Sequence, residues 1–263
     1  MQIQTLDQVG NSLSLAAYPK RIVSLVPSQT ELLADLGLSD EVVGITKFCI
    51  HPEAWFRAKT RVGGTKNISL DKIRALQPDL IIANKEENVR EQIEDLQKAY
   101  PVWISDIKRL EDAIAMIREV GRMIGKESKA DAIVDRIEHN FDVLALSNVS
   151  EKSVAYLIWN EPIMVASGQT FIGDMLRRAG FDNVFENAVE RYPESSLEEL
   201  KRLAPKLVLL SSEPFPFREK HVQILRKELP FSRIMLVDGE LFSWYGSRLL
   251  KTADYLQHFK EIQ

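Results

Sequence analysis

The sequence predicts an α/β protein of two similar lobes, each a parallel sheet with flanking helices, joined by one long backbone helix with a ligand cleft between the lobes. Three observations predict this class. First, the chain states one pattern twice: Ser69-Leu70-Asp71-Lys72-Ile73-Arg74-Ala75-Leu76-Gln77-Pro78-Asp79-Leu80-Ile81-Ile82 returns as Ser196-Leu197-Glu198-Glu199-Leu200-Lys201-Arg202-Leu203-Ala204-Pro205-Lys206-Leu207-Val208-Leu209, an offset of 127 residues. Each copy reads as a Ser cap, an acid in the first helical turn, apolar residues at helical spacing, then Pro and a strand. A repeat at half the chain length means two alike lobes rather than a short-period solenoid. Second, short β-branched runs alternate with amphipathic stretches, as in a parallel sheet with crossover helices. Third, the stretch from Glu127 to Leu146 has apolar residues at three- and four-residue spacing (Ala130, Ile133, Val134, Ile137, Phe141, Leu144) and no Gly or Pro. It predicts a helix about 30 Å long, placed where a linker would fall. The expected boundaries are 1–126 for the N-terminal lobe, 127–147 for the connecting helix and 148–263 for the C-terminal lobe.

In chain order, Arg21-Ile22-Val23-Ser24-Leu25-Val26 reads as a buried parallel strand. Pro27-Ser28-Gln29 breaks it, Thr30 is placed to cap the next helix, and Gly37 ends that helix. Strands follow at Val42–Ile45, Leu80–Ala83 and Val102–Ile104, with helices at Val89–Ala99 and Leu110–Ile124. The second lobe opens with a strand from Ser153 to Trp159. A helix from Phe171 to Ala179, the second repeat copy, the Pro-rich turn Glu213-Pro214-Phe215-Pro216-Phe217, a helix to Leu229, a strand Ile234–Val237 and a terminal helix from Arg248 complete it.

With 263 residues, 45% hydrophobic and 27% charged, the chain has a globular composition. A net charge of −4 with dispersed Lys and Arg argues against a nucleic-acid partner. No apolar run approaches the roughly 20 residues of a membrane span, so membrane insertion is not expected. The single Cys49 excludes an intrachain disulfide. The first residues, Met1 to Gln8, carry neither a signal-peptide pattern nor a Cys for a lipid anchor. The sequence contains no Gly-x-Ser-x-Gly elbow, phosphate loop, His-Glu-x-x-His or Cys-x-x-Cys, so no catalytic residue is assigned and an enzyme is not expected.

Three further segments accompany the repeats: Arg21-Ile22-Val23-Ser24-Leu25-Val26-Pro27-Ser28-Gln29-Thr30-Glu31-Leu32, Ser167-Gly168-Gln169-Thr170-Phe171-Ile172-Gly173, and Asp238-Gly239-Glu240-Leu241-Phe242-Ser243-Trp244-Tyr245-Gly246-Ser247-Arg248. In this order they resemble the helical-backbone (class III) solute-binding proteins of ABC importers, receptors for cobalamin, iron–siderophore complexes, haem and some bare metals. The resemblance runs from about Arg21 to the C-terminus, and the cobalamin-binding branch is nearest. It implies a monomeric receptor that captures a chelated metal cofactor, cobalamin-like corrinoid first and ferric siderophore or haem second, and delivers it to an ABC permease. It also implies a periplasmic or cell-surface location, whereas the lack of a signal pattern leaves the cytoplasm open.

The resemblance carries residue roles with it. Phe48 and Tyr192 match aromatic ligand contacts of the cobalamin receptors, and Trp244 and Tyr245 sit in a late loop that reaches the ligand. Two further aromatic contacts fall here on Thr65 and Asn84, which are polar, a departure that points to a more polar chelate. Trp159, ending a strand, and Arg248 are further ligand candidates. Asp71 and Glu198 match the acids that dock permease arginines, although a carboxylate in a first helical turn is also stabilised by the helix dipole without any partner. Cys49, His51 and Glu53 lie close in sequence, but Cys-x-His is not the spacing of a closed metal site; His51 is the residue to test if bare metal is bound. Trp55 and Trp103 read as packing residues. The rival reading is a cytoplasmic metallocofactor chaperone or tetrapyrrole metal-inserting enzyme on a similar two-lobed fold.

Overall fold

The computed structural model describes residues 2–146 and 152–260, and the expected boundary at 147/148 lies outside the described residues. The chain divides into two compact units. One comprises Met1–Asp106, Glu111–Arg136 and Tyr245–Arg248, and the other Ile107–Leu110, Ile137–Trp244 and Leu249–Gln263.

The elements of the first part of the chain are β1 (Ile3–Leu6), β2 (Ser12–Leu15), β3 (Ile22–Ser24), α1 (Pro27–Asp35), β4 (Val42–Ile45), α2 (Glu53–Ala58), β5 (Thr60–Arg61), α3 (Leu70–Leu76), β6 (Leu80–Asn84), α4 (Arg90–Gln97), β7 (Val102–Ser105) and α5 (Leu110–Met123). Strands β3 to β7 form one parallel sheet in the order β5-β4-β3-β6-β7. The chain winds outward from β3 to β5, then crosses back to β6 on the other side. The carboxyl ends of β3 and β6 therefore flank the point where strand order reverses, the place where open α/β sheets leave a crevice for ligands. Val23, Leu25, Ile73, Ile81, Ile93 and Val102 are buried together in the core of this unit. The antiparallel hairpin β1–β2 was not expected; its alternating burial marks it as a strand pair with one inward face.

Helix α6 (Glu127–Leu146) has the bounds that the apolar periodicity predicts. The division between the two units falls within it, after Arg136. Beyond it come β8 (Lys152–Trp159), β9 (Ile163–Val165), α7 (Phe171–Arg178), β10 (Phe181–Asn183), β11 (Glu194–Ser195), α8 (Leu197–Leu203), β12 (Leu207–Ser211), α9 (Glu219–Glu228), β13 (Arg233–Val237), α10 (Glu240–Ser243) and α11 (Leu249–Lys260). Their sheet runs β11-β9-β8-β12-β13, with β10 also pairing β8. Unlike the first sheet it is mixed: β9 is antiparallel to β8 and to β11. Only Asn160, Glu161 and Pro162 join β8 to β9, too few for the crossover a parallel neighbour needs.

The repeat survives in the backbone at the same 127-residue offset. Helices α3 and α8 each span seven residues, strands β6 and β12 each span five, and Ile73 and Leu200 are the fully buried residues at matching places. Each helix ends on a non-glycine residue in the left-handed region, Gln77 at φ 45° and Ala204 at φ 44°. Left-handed residues commonly close helices in this way, and the following Pro78 or Pro205 keeps the helix from continuing. An L-residue there is strained by about 1 kcal/mol. Ala204→Gly is therefore expected to raise stability by up to about 1 kcal/mol in a denaturant titration, the opposite of the usual effect of glycine. An unchanged or lowered stability would refute the strain.

Two local expectations change. Helix α1 starts at Pro27 with Val26 as N-cap, so Thr30 lies inside the helix rather than capping it. Proline suits that first position because its missing N–H would have no partner there. The Thr30 hydroxyl instead lies 2.8 Å from the Val26 carbonyl and 2.7 Å from Ser24 Oγ. Ser69 precedes α3 without a side-chain cap bond, whereas Ser196 Oγ accepts the Glu199 N–H at 3.1 Å.

Candidate functional site

In the first unit a loop leaves the carboxyl end of each of the five parallel strands. Phe48 follows β4 and is 50% exposed. The ammonium of Lys47 sits 5.0 Å from its ring centroid, a cation–π contact. A Cβ at Gly64 would come within 3.2 Å of both Phe48 and Lys47 Cε, so glycine lets the β5–α3 loop lie close beneath the aromatic ring. Phe48 thus presents a supported, half-exposed apolar face.

Beside it, a buried polar network fixes the loop after β6. Asn84 Nδ2 donates to the Ser105 carbonyl at 3.2 Å and to Ser105 Oγ at 2.9 Å, while Asn84 Oδ1 accepts the backbone N–H groups of Glu86 and Glu87. Asn88 Oδ1 accepts the Asn84 N–H at 2.9 Å, and its Nδ2 donates to the Thr65 carbonyl at 3.1 Å. Ser105 Oγ also accepts from Gln29 Nε2 at 2.6 Å. Thr65, Asn84 and Asn88 are buried, and the Asn84 side chain is committed to its own loop. Burial pushes the Glu87 carboxyl above its ordinary value, with Lys66 pulling it back down. Cys49 is buried with its Sγ 3.1 Å from both Thr30 Oγ1 and Thr46 Oγ1; burial pushes the thiol up, which suits an inert packing residue rather than a nucleophile.

In the second unit the carboxyl edge is aromatic. Trp159 ends β8 at 39% exposure, and its indole N–H donates to the Glu161 carbonyl at 3.1 Å. Phe215, in the β12–α9 loop, meets Trp159 edge-on with ring centroids 5.5 Å apart. Sequence reasoning passed over Phe215 because it lies in a Pro-rich turn with no periodicity to mark it. Tyr192 is half-buried in the loop before β11. Trp244 is 6% exposed, and its indole N–H donates to Glu213 Oε1 at 2.8 Å. The next residue, Tyr245, belongs with the first unit and is buried as well. The phenol of Tyr156, fully buried under this edge, lies 3.1 Å from Ser211 Oγ, and burial drives its pKa up so that it stays neutral.

Arg248 belongs with the first unit, where its guanidinium makes a two-pronged ion pair with Glu31 of α1 at 2.7 and 2.9 Å. The two side chains are only 10% and 15% exposed. Gly246, two residues earlier, runs so close to α1 that a Cβ there would lie 2.6 Å from the Ser28 carbonyl. Asp71 stands in the first turn of α3 at 96% exposure, 3.4 Å from Arg74, and Glu198 is exposed at the matching turn of α8. Trp55 and Trp103 are buried packing residues. His51 is half-buried, and among the described residues no three His, Cys, Asp or Glu side chains gather as metal ligands. A pocket of about 420 Å³ opens beside the β6 loop, lined among others by Val9, Asn84, Lys85, Asn88, Ile93 and Ile104.

Against known proteins, the periplasmic binding protein family matches residues 22–227. The chain belongs to that family. As a periplasmic-binding-protein member it is a solute-binding protein and not an enzyme, which removes the metal-inserting rival. Its relatives include the vitamin B12-binding protein of Vibrio parahaemolyticus, 28% identical over 261 residues that cover 96% of this chain and 94% of the relative. The periplasmic vitamin B12 binding protein BtuF of Vibrio cholerae superposes with a TM-score of 0.79 at 21% identity, over 93% of this chain and 98% of that one. The periplasmic haem-binding protein RhuT of Roseiflexus gives the same TM-score at 21% identity, covering 91% and 97%. The two-lobed α/β fold with a linking long helix is therefore that of the family.

Proposed function

We propose that this protein is the solute-binding receptor of an ABC importer whose cargo is a cobalamin-like corrinoid. The observation that carries the reading is the near full-length likeness to a vitamin B12-binding protein at 28% identity. The aromatic faces at the carboxyl edges support it. Phe48 in the first unit and Trp159 in the second are each a half-exposed ring held by neighbouring groups, and each by itself suits a flat apolar face of a conjugated macrocycle. We assign ligand contact to Phe48, Trp159, Tyr192 and Tyr245. Thr65, Asn84, Trp244 and Arg248 act behind them by shaping the loops.

Delivery to a permease is proposed through Asp71 and Glu198, the two exposed acids at matching first turns of the repeated helices. Haem or a ferric siderophore is the second reading. It is favoured by the polar residues Thr65 and Asn84 where cobalamin receptors carry aromatics, and by the equal likeness to a haem-binding structure. Difference absorbance spectra of the purified protein with cyanocobalamin, haemin and a ferric hydroxamate separate the readings. Cyanocobalamin is expected to give the tightest saturable change. Tighter binding of haemin or the hydroxamate would replace corrinoid by that ligand, and no change with any of the three would refute the assignment.

A further inference from the structure

We infer that Phe215 is a positioning residue for ligand recognition, holding Trp159 as a pre-set shelf for the flat face of a conjugated ring; this rests on the ligand class proposed above. Trp159 is a large aromatic left 39% exposed, yet it is held at two ends. Its indole N–H is tied to the Glu161 carbonyl, and its edge is met by the Phe215 ring at 5.5 Å and an interplanar angle of 64°. Phe215 is itself fixed. Its backbone N–H donates to the Ile158 carbonyl, next to Trp159, at 3.3 Å. Its ring meets Phe217 at 4.8 Å and His221 at 5.3 Å, and Phe217 meets His221 at 5.5 Å. His221 in turn is locked to the start of α9, because its Nδ1 accepts the Arg218 N–H at 2.8 Å.

The chain of contacts therefore runs from a helix start through three rings to one exposed indole. Such an arrangement costs side-chain order in the fold itself rather than at binding, so a ligand meets a platform that loses little freedom on contact. Edge-to-face pairs of this kind add to aromatic stability beyond area burial, and they set ring orientation, which a bare apolar neighbour does not. The ligand chemistry that uses such a shelf is a rigid, conjugated, largely apolar face. The carboxylate-rich surface of a small hydrophilic chelate gains little from it.

The test is a double-mutant cycle on the full chain with cyanocobalamin and haemin as probes, followed by calorimetry. Phe215→Leu, which keeps apolar bulk, and Phe215→Ala are each combined with Trp159→Ala. Phe215→Leu is expected to weaken the bound probe by about three- to tenfold, and the same change in the Trp159→Ala background is expected to weaken it by less than about twofold. Because Trp55, Trp103 and Trp244 are buried, acrylamide quenching of tryptophan fluorescence reports chiefly Trp159, and Phe215→Leu should increase it. Equal losses in both backgrounds, or a wild-type affinity unchanged by Phe215→Leu, overturn the positioning role alone. A wild-type protein that binds neither probe overturns this inference together with the proposed ligand class.

Discussion

Replacing Glu31 by Ala, with Arg248 left in place, is expected to cost about 3–5 kcal/mol of folding stability. The pair is two-pronged, short and mostly shielded from water, with distances of 2.7 and 2.9 Å. Removing the carboxylate takes a two-pronged partner from a guanidinium in a poorly solvated place, and the poor solvation of that charge adds to the lost attraction in setting the size of the effect. The double variant Glu31→Ala/Arg248→Ala is accordingly expected to be more stable than Glu31→Ala alone. The pair ties Tyr245–Arg248 to α1, so its loss releases a segment that lies far along the chain from the unit it joins. Denaturant titration of Glu31→Ala, Arg248→Ala and the double variant measures this. Single variants that each lose less than about 1 kcal/mol would show a solvated surface pair, and would free Arg248 for a ligand.

Asn84→Ala is expected to cost about 2–3 kcal/mol. The side chain serves four groups at once: its oxygen accepts two backbone N–H groups of the following loop, and its amide donates to the carbonyl and the hydroxyl of Ser105. Alanine leaves the N–H groups of Glu86 and Glu87 without their acceptor at the point where the strand order reverses. Asn84→Asp keeps the acceptor but sets a buried carboxylate oxygen against the Ser105 carbonyl, so it is not expected to restore wild-type stability. Equal stability of wild type and Asn84→Ala in a denaturant titration would mean that the loop does not depend on this network. Either way, any effect of Asn84 on ligand affinity is expected to come through the loop it holds.

The fold was legible where physics leaves a period in the sequence. The apolar spacing of Ala130 to Leu144 gave helix α6 its bounds, and the duplicated segments reappear with matching helices, strands and even matching left-handed caps at Gln77 and Ala204. Less legible were elements too short to show a period, such as β5, β11 and α10. The hairpin β1–β2 did leave a signal, alternation around Gly10, but four residues per strand compete poorly with reading a terminus as a tail.

The site divides in the same way. The exposure of Phe48 fits a loop and that of Trp159 fits the end of a strand before Asn160-Glu161-Pro162, both of which sequence can mark. The commitment of Asn84 to Ser105, of Trp244 to Glu213 and of Arg248 to Glu31 could not be read, because each joins residues between 21 and 217 positions apart. Nor could the role of the segment Ser28-Gln29-Thr30-Glu31. Its first three side chains are buried, and its fourth holds the ion pair, so it is a structural junction as well as a resemblance signal.

Isothermal titration of the purified protein with cyanocobalamin tests the central claim most directly. A saturable one-to-one heat is expected, with an affinity that falls by about tenfold in Phe48→Ala and by about tenfold in Trp159→Ala, since each half-exposed ring is a proposed ligand contact. Absence of binding heat, or full affinity retained in both variants, would contradict it.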